Sequence, residues 1–278
     1  YTSFFYGEKI MGSYVSRLLP LMFFLVYYLT EGLKKNYTKY LLIFIIYAAS
    51  VFLIIISGER TAIVILIIVS ILLFIIKFDK LSLIFVILFS ILFTSIIIFN
   101  TEYTTSILRG LVSESKISEL KSDNFKINLK DIKIPGDYYN IYKNSFHIYK
   151  DNYLFGIGPK NFREICKNSE YWANSSENSG CSTHPHHAFI QLLVETGLFG
   201  LIPVLIIFVY SLFKFSKNLY TKLFINKINN NNNYLILLIP IIINLMPIIP
   251  SGNFFNNWLS IIYFLPIGFL LNYYIEKK

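Results

Sequence analysis

The sequence predicts an all-α polytopic membrane protein with about seven transmembrane helices and one large extracytoplasmic loop between the fourth and the fifth. Three observations carry that reading. First, the 278 residues are 55% hydrophobic, 18% aromatic and only 15% charged, which is too apolar for an ordinary soluble domain. Second, the charges crowd into a few stretches, giving a mean hydropathy of +0.55 and leaving runs of roughly 17 to 20 apolar residues, enough to cross a hydrocarbon core about 30 Å thick. Third, no alternating barrel pattern appears, so backbone groups in lipid have to be satisfied within their own segment, as a helix does.

In chain order the runs fall at 13–30, 39–56, 61–76, 81–100, 188–213, 234–250 and 258–275. They divide the chain into a first membrane segment of four helices (1–100), a loop or lid domain (101–187) and a second membrane segment of three helices (188–278). The first span carries Arg17 one turn inside its start. The second and third are joined by the short turn Ser57–Arg60, the sixth and seventh by Ser251–Asn257, and these two turns hold one cation between them. The opposite connections, Glu31–Lys39, Lys77–Lys80, Lys214–Asn233 and the tail, hold eleven lysines and no arginine. The excess of positive charge assigns the lysine set to the cytoplasm. Residue 1 then lies outside, which predicts an odd number of further spans upstream of Tyr1. The net charge of +9 and pI near 9.3 are therefore read as membrane orientation and not as a nucleic-acid surface.

The loop, Thr101–His187, has eleven Lys/Arg and ten Asp/Glu, a mixed-charge insert expected outside the membrane. A polar stretch, Ser113–Lys133, is expected to be mobile. After Pro135-Gly136 the run Tyr138–Tyr153 reads as a helix, because Tyr139, Tyr142, Phe146 and Tyr149 recur at three- and four-residue spacing. That face is expected either on the bilayer surface or in the loop's own core. Both cysteines, Cys166 and Cys181, lie in this loop. A disulfide is the leading expectation for an extracytoplasmic pair, against two free thiols or a zinc site shared with the nearby histidines.

All four arginines (Arg17, Arg60, Arg109, Arg163) and all four histidines (His147, His184, His186, His187) fall on the external side of this topology. Lysine suffices to anchor cytoplasmic loops, whereas a planar, permanently charged fork favours phosphate recognition. Arg60 either meets a lipid phosphate or snorkels, pairing with Glu59 or with ordinary headgroups; Arg17 either faces a polar cavity or a partner or snorkels in the same way. His184-Pro185-His186-His187 leads into the fifth span, where imidazole either moves a proton or caps the helix. Glu195 is the only acid inside a span, with Gln191 one turn before it, and is either functional or a helix-to-helix hydrogen-bonding group. The turn Pro247–Trp258 offers amides to a sugar or is simply a tight turn with an aromatic anchor. There is no Gly-rich phosphate loop and no dinucleotide fingerprint. Asp137 and Asp151 form no recognisable metal-binding pair, so no metal and no cofactor are expected.

Several spaced motifs also resemble a known family. Gly156-Ile-Gly158-Pro-Lys-Asn-Phe-Arg163, Cys166, Cys181-Ser-Thr-His184-Pro-His186-His187 and Glu195-Thr-Gly197-Leu-Phe-Gly200 resemble the O-antigen ligase and O-antigen polymerase family of bacterial membrane proteins. His186 precedes Gly197 and Gly200 at the family's spacing, with His187 where Asn, Ser or Gln is usual. Ser57-Gly-Glu-Arg60-Thr-Ala62, Gly7–Arg17 and Ser251–Trp258 are similar to its arginine motif, upstream loop and final turn. The family's further loop arginine has no counterpart in Tyr138–Tyr149, leaving Arg163 or Lys143 in its place.

The resemblance implies metal-independent, inverting glycosyl transfer on the periplasmic face of the bacterial inner membrane. The implied donor is a glycan on undecaprenyl pyrophosphate. The implied acceptor is a lipid A-core sugar, as in a ligase of lipopolysaccharide biosynthesis; alternatives are a second lipid-linked glycan for a polymerase or a protein hydroxyl for an oligosaccharyltransferase. Arg60, with Arg17 and Arg163, would hold the pyrophosphate, and His186 would align or deprotonate the acceptor. His184, His187, Gln191 and Glu195 complete the expected substrate-binding set, under a loop acting as a lid. From a different class, an ion-coupled transporter or flippase could use Glu195, but no internal repeat supports it.

Overall fold

The computed structural model describes residues 10–30, 36–76, 136–172, 180–224 and 232–276. Among them the regular structure is entirely helical: α1 (Met11–Leu29), α2 (Asn36–Ser57), α3 (Arg60–Ile76), α4 (Gly136–Asp151), α5 (Phe162–Ile165), a 3₁₀ turn (Ser169–Tyr171), α6 (Ala188–Phe224), α7 (Asn232–Asn244) and α8 (Asn257–Glu276). Four helices are long and apolar enough to cross a membrane: Met11–Leu29, Tyr37–Ser57, Ala188–Phe224 and Asn257–Glu276. Arg60–Ile76 and Asn233–Asn244 are apolar but shorter. The expected span 81–100, the stretch Ser113–Lys133, Arg109 and the Gly7-Glu8-Lys9 part of the upstream loop lie outside the described residues.

The short α7 is the hub of the bundle, in contact with α1, α3, α6 and α8. Its Ile236, Leu237, Leu238 and Ile239 are fully buried on every side. A helix that is apolar all round belongs in such a sheathed position. α1 packs on α2, α3, α7 and α8, and a core runs from Leu19 and Phe24 on α1 through Ile65 and Val69 on α3 to α7. A second cluster joins Ala188 and Leu192 of α6 to Ile241, Phe254 and Tyr263. Outside these, Ile141 and Ile148 of α4, Phe162, Cys166 and Val194 form a small separate core, which seats α4 and α5 on the start of α6.

Three expectations need correction. The fifth apolar run does not end at 213: α6 continues to Phe224, so Lys214, Lys217 and Lys222 ride on helix and not on a loop. The sixth stops at Asn244, short of 250, and the chain turns from Leu245 onward, where Pro247 has no N–H to continue the helix ladder. On α4 the expected aromatic face is divided: Tyr142 and Tyr149 pack against the small core, Tyr139 and Phe146 are exposed, and the fully buried positions are Ile141, Asn144, Ser145 and Ile148. α4 packs against α6, and the small polar Asn144 and Ser145 suit that close approach.

α6 is two helices joined through Gly197, whose φ of 64° and ψ of −163° are not helical. In a continuous helix the Val194 and Glu195 carbonyls would accept from the Leu198 and Phe199 amides. Here the segment 153–158 is inserted between them. Ile157 N–H donates to the Val194 carbonyl (3.0 Å), Gly158 N–H to that of Glu195 (2.9 Å), Leu198 N–H to that of Tyr153 (3.0 Å) and Phe199 N–H to that of Leu154 (3.2 Å). All four backbone groups freed by the break thus find partners. The approach requires glycine on both sides. A Cβ on Gly156 (φ 68°) would lie 2.6 Å from the Val194 carbonyl oxygen, and one on Gly197 would overlap the backbone of Leu154.

Candidate functional site

The disulfide between Cys166 and Cys181, with Cα atoms 5.3 Å apart, ties the end of α5 to the turn that precedes α6. That turn, 182–187, carries three of the four histidines. His186 has a φ of 55°, an uncommon conformation for a residue with a Cβ. It is held from three directions. Its carbonyl accepts from Ser251 N–H at 3.0 Å, its Nε2 shares a 2.9 Å hydrogen bond with the Ser182 hydroxyl, and the Tyr138 ring stands edge-on at 5.7 Å. The His184 ring lies 4.1 Å away.

Burial lowers the pKa of His186, so its imidazole is neutral near pH 7. His184, whose Nδ1 shares a 2.9 Å hydrogen bond with the Thr183 hydroxyl, is pulled down to about 4, chiefly by burial and then by His186, with Arg163 adding to the effect. His187 is occupied differently. Its Nε2 is 2.8 Å from the Pro247 carbonyl, so that nitrogen donates, and Nδ1 accepts from Ile190 N–H at 3.3 Å. With α6 beginning at Ala188, His187 is its N-cap, and both ring nitrogens are engaged with backbone.

Gln191 and Glu195, both fully buried, hold loops to α6. The Glu195 carboxyl accepts from Lys160 N–H (3.0 Å) and Phe162 N–H (3.3 Å), and from Gln191 Nε2 (3.0 Å). Gln191 Nε2 also donates to Asn253 Oδ1 at 2.8 Å, and its Oε1 accepts from Phe254 N–H at 2.8 Å. The start of α5, with Arg163 exposed on it, and the turn 247–254 are therefore positioned from one helical face.

Arg17 is buried, at 3% exposure. Its Nη2 donates to the Pro250 carbonyl (3.1 Å), Nη1 to Asn244 Oδ1 (3.5 Å) and Nε to Ser13 Oγ (3.3 Å). Asn244 in turn donates through Nδ2 to the Ile262 carbonyl at 2.7 Å. Pro266 lies four residues beyond Ile262 on α8 and has no N–H to give that carbonyl, so Asn244 fills the gap left by a proline. Glu59 accepts from Gly12 N–H (2.6 Å) and Ser13 N–H (3.0 Å), satisfying the first amides of α1. Burial raises its pKa against these hydrogen bonds and against Arg17. Arg60, the next residue, opens α3 with its side chain exposed.

The turn 247–254 is thus common ground: Arg17, His186, His187 and Gln191 each bond to it. Sequence alone leaves that turn open between a sugar contact and a plain connection. Residues not singled out by sequence are Ser182, Tyr138, Asn244 and Asn253; Asn253 and Ser182 sit inside the quoted motifs, while Asn244 becomes noticeable only beside Pro266. Glu59, expected beside Arg60, turns its carboxyl to the Gly12 and Ser13 amides instead. Among the described residues no group of three His, Cys, Asp or Glu side chains is placed to hold a metal ion.

A histidine in a fixed turn, backed by a hydroxyl and an aromatic edge and bonded to the same 247–254 turn as the buried Arg17, is suited to general-base chemistry beside an anionic group; among the described residues no hydrogen bond joins Arg60 or Arg163 to it. No curated protein matches the sequence. The family model described as O-antigen ligase matches residues 43–205, more than half of the chain, from α2 through the break in α6.

Proposed function

Since the chain belongs to the O-antigen ligase family, a family of membrane-associated glycan transfer, we propose that it moves a glycan from undecaprenyl pyrophosphate to the hydroxyl of a lipid A-core sugar. The transfer takes place on the periplasmic face of the inner membrane. The observation that carries this reading is the placement of His186, its ring fixed by Ser182 on Nε2 and its backbone by Ser251 on the carbonyl. With Nε2 occupied, Nδ1 is the nitrogen that meets the acceptor.

In the proposed reaction the acceptor oxygen attacks the anomeric carbon from the face opposite the diphosphate, so configuration inverts. The acceptor proton passes to His186, the bond from the anomeric carbon to the diphosphate oxygen breaks, and undecaprenyl pyrophosphate leaves. Charge grows on the leaving diphosphate. Arg60 and Arg163, whose side chains are exposed, grip it, and buried Arg17 adds its charge from behind the Pro250 carbonyl. His187, Gln191 and Glu195 serve the substrates by holding the loops that contact them, and His184 lies against the His186 ring. No metal enters the mechanism.

The test is transfer in proteoliposomes from undecaprenyl-pyrophosphate-linked glycan, with EDTA present, to a lipid A-core acceptor, a second lipid-linked glycan or a protein acceptor in separate arms. His186→Ala is expected to lose about 10²- to 10⁴-fold in rate, and Arg60→Ala about 10²- to 10³-fold. Transfer only to a second lipid-linked glycan or to protein would replace the ligase reading by the polymerase or protein-transferase reading. Folded variants that transfer as fast as the unmodified protein would overturn the site assignment.

A further inference from the structure

The segment Tyr153-Leu154-Phe155, which fills the break in α6, leaves three large apolar side chains exposed. Phe155 is 71% exposed and Phe199 64%, yet their rings stack on one another, 5.0 Å apart and 4° from parallel. Phe199 is the first residue of an exposed apolar stripe on α6 that continues through Ile202, Ile206, Val209 and Phe213 at helical spacing. That stripe belongs to one of the membrane-crossing helices, and an apolar face of such a helix lies against lipid. Phe155 prolongs the stripe without a gap.

We infer that Tyr153-Leu154-Phe155 is a membrane-inserted wedge, seating the segment after α4 in the acyl-chain region on the side where the His184–His187 turn lies. The depth follows from helix geometry. Lys214 is the first cation along α6, and a rise of 1.5 Å per residue separates Phe199 from it by about 22 Å. A hydrocarbon core of about 30 Å that begins near Lys214 therefore still encloses Phe199, and with it the ring of Phe155. Irregular backbone at that depth needs hydrogen-bond partners other than water. The break in α6 supplies them, because the Leu198 and Phe199 amides bond the Tyr153 and Leu154 carbonyls, and the Val194 and Glu195 carbonyls receive the Ile157 and Gly158 amides. The occupant of this apolar surface is lipid acyl chain. The wedge also fixes the height of Lys160–Arg163, which follows it directly and hangs from Glu195.

The test needs no substrate. Cys166 and Cys181 are paired with each other, so single cysteines placed by Phe155→Cys, Ile206→Cys and Ser169→Cys can each be spin-labelled in the full chain, in phosphatidylcholine–phosphatidylglycerol vesicles. Collision rates with oxygen, which partitions into lipid, and with a water-soluble nickel chelate are then compared. The label at 155 is expected to collide several-fold more with oxygen than with nickel, like the label at 206 and opposite to the label at 169. A label at 155 that behaves like 169 overturns the inference, and so does one that meets neither reagent, since the surface is then covered by protein. Phe155→Trp, which keeps a stacking ring, provides the check against local disruption. Acyl-chain bromination should quench the added fluorescence above that of Trp172 and Trp258, and no added quenching would refute insertion.

Discussion

Replacing Glu195 removes the acceptor for three donors at once: Lys160 N–H, Phe162 N–H and Gln191 Nε2. Each buried donor left without a partner costs about 1–3 kcal/mol. Lys160 is exposed, so water can recover part of its bond, and Gln191 retains Asn253. Glu195→Ala should therefore destabilise by about 3–5 kcal/mol, the lower half of the simple sum. Glu195→Gln keeps one acceptor oxygen but points an amide at other donors, and should lose about 1–2 kcal/mol. Thermal unfolding in detergent reads the order directly, with a drop on the order of 10 °C for the alanine variant. Hydrogen exchange in the 157–165 peptide should rise before global unfolding, because that segment hangs from this carboxyl. An alanine variant that melts within about 2 °C of the parent, with exchange in that peptide unchanged, would refute the anchoring role.

Other expected outcomes follow from the same geometry. Asn244→Ala should cost about 1–3 kcal/mol by orphaning the Ile262 carbonyl; in a Pro266→Ala background the new amide serves that carbonyl, so a double-mutant cycle should show coupling of about 1 kcal/mol. Gly156→Ala forces a Cβ into left-handed backbone and against the Val194 carbonyl, and should lose at least about 2 kcal/mol, visible as faster exchange at Ile157, Gly158, Leu198 and Phe199. His184 titrates at about 4 in the folded chain and near 6.5 when unfolded, so the unfolded state binds its proton first. Its contribution is complete above about pH 7 and is lost as pH falls from about 6.5 to 4, to a ceiling of about 3 kcal/mol. His184→Gln should flatten the thermal midpoint between pH 7.5 and 5, and an unchanged slope would remove His184 as the cause.

Much of the bundle was legible because lipid imposes long apolar runs, and α1, α2, α3 and α8 begin and end within a few residues of the runs that predicted them. The break in α6 was not, since Gly197 lies inside an apolar stretch and its conformation is set by backbone from residues 153–158. Only the glycines at 156 and 197 hinted at it, and their facing each other is a tertiary fact. The aromatic spacing on α4 found the helix and, in Tyr142 and Tyr149, the edge of its packed side, but not the fully buried positions Ile141, Asn144, Ser145 and Ile148. At the site, the histidine turn and the cysteine pair were visible as residue types, and Arg17 read as a charge in need of a polar cavity or a partner, but its partners Ser13, Asn244 and Pro250 could not be named. Sequence spacing cannot reveal a partner 227 residues away.

That separation has a consequence for how the protein is made. When α1 first meets the membrane, the Asn244 side chain and the Pro250 carbonyl that will accept hydrogen bonds from its buried arginine have not been synthesised. At about 5–20 residues per second the wait is about 10 to 45 s. During it the guanidinium has to stay near headgroups and water, leaving α1 shallow or tilted until α7 and the following turn arrive. Final seating of α1 therefore waits on the chain that follows it, and a chain that stops before residue 244 leaves the Arg17 guanidinium without the Asn244 and Pro250 acceptors.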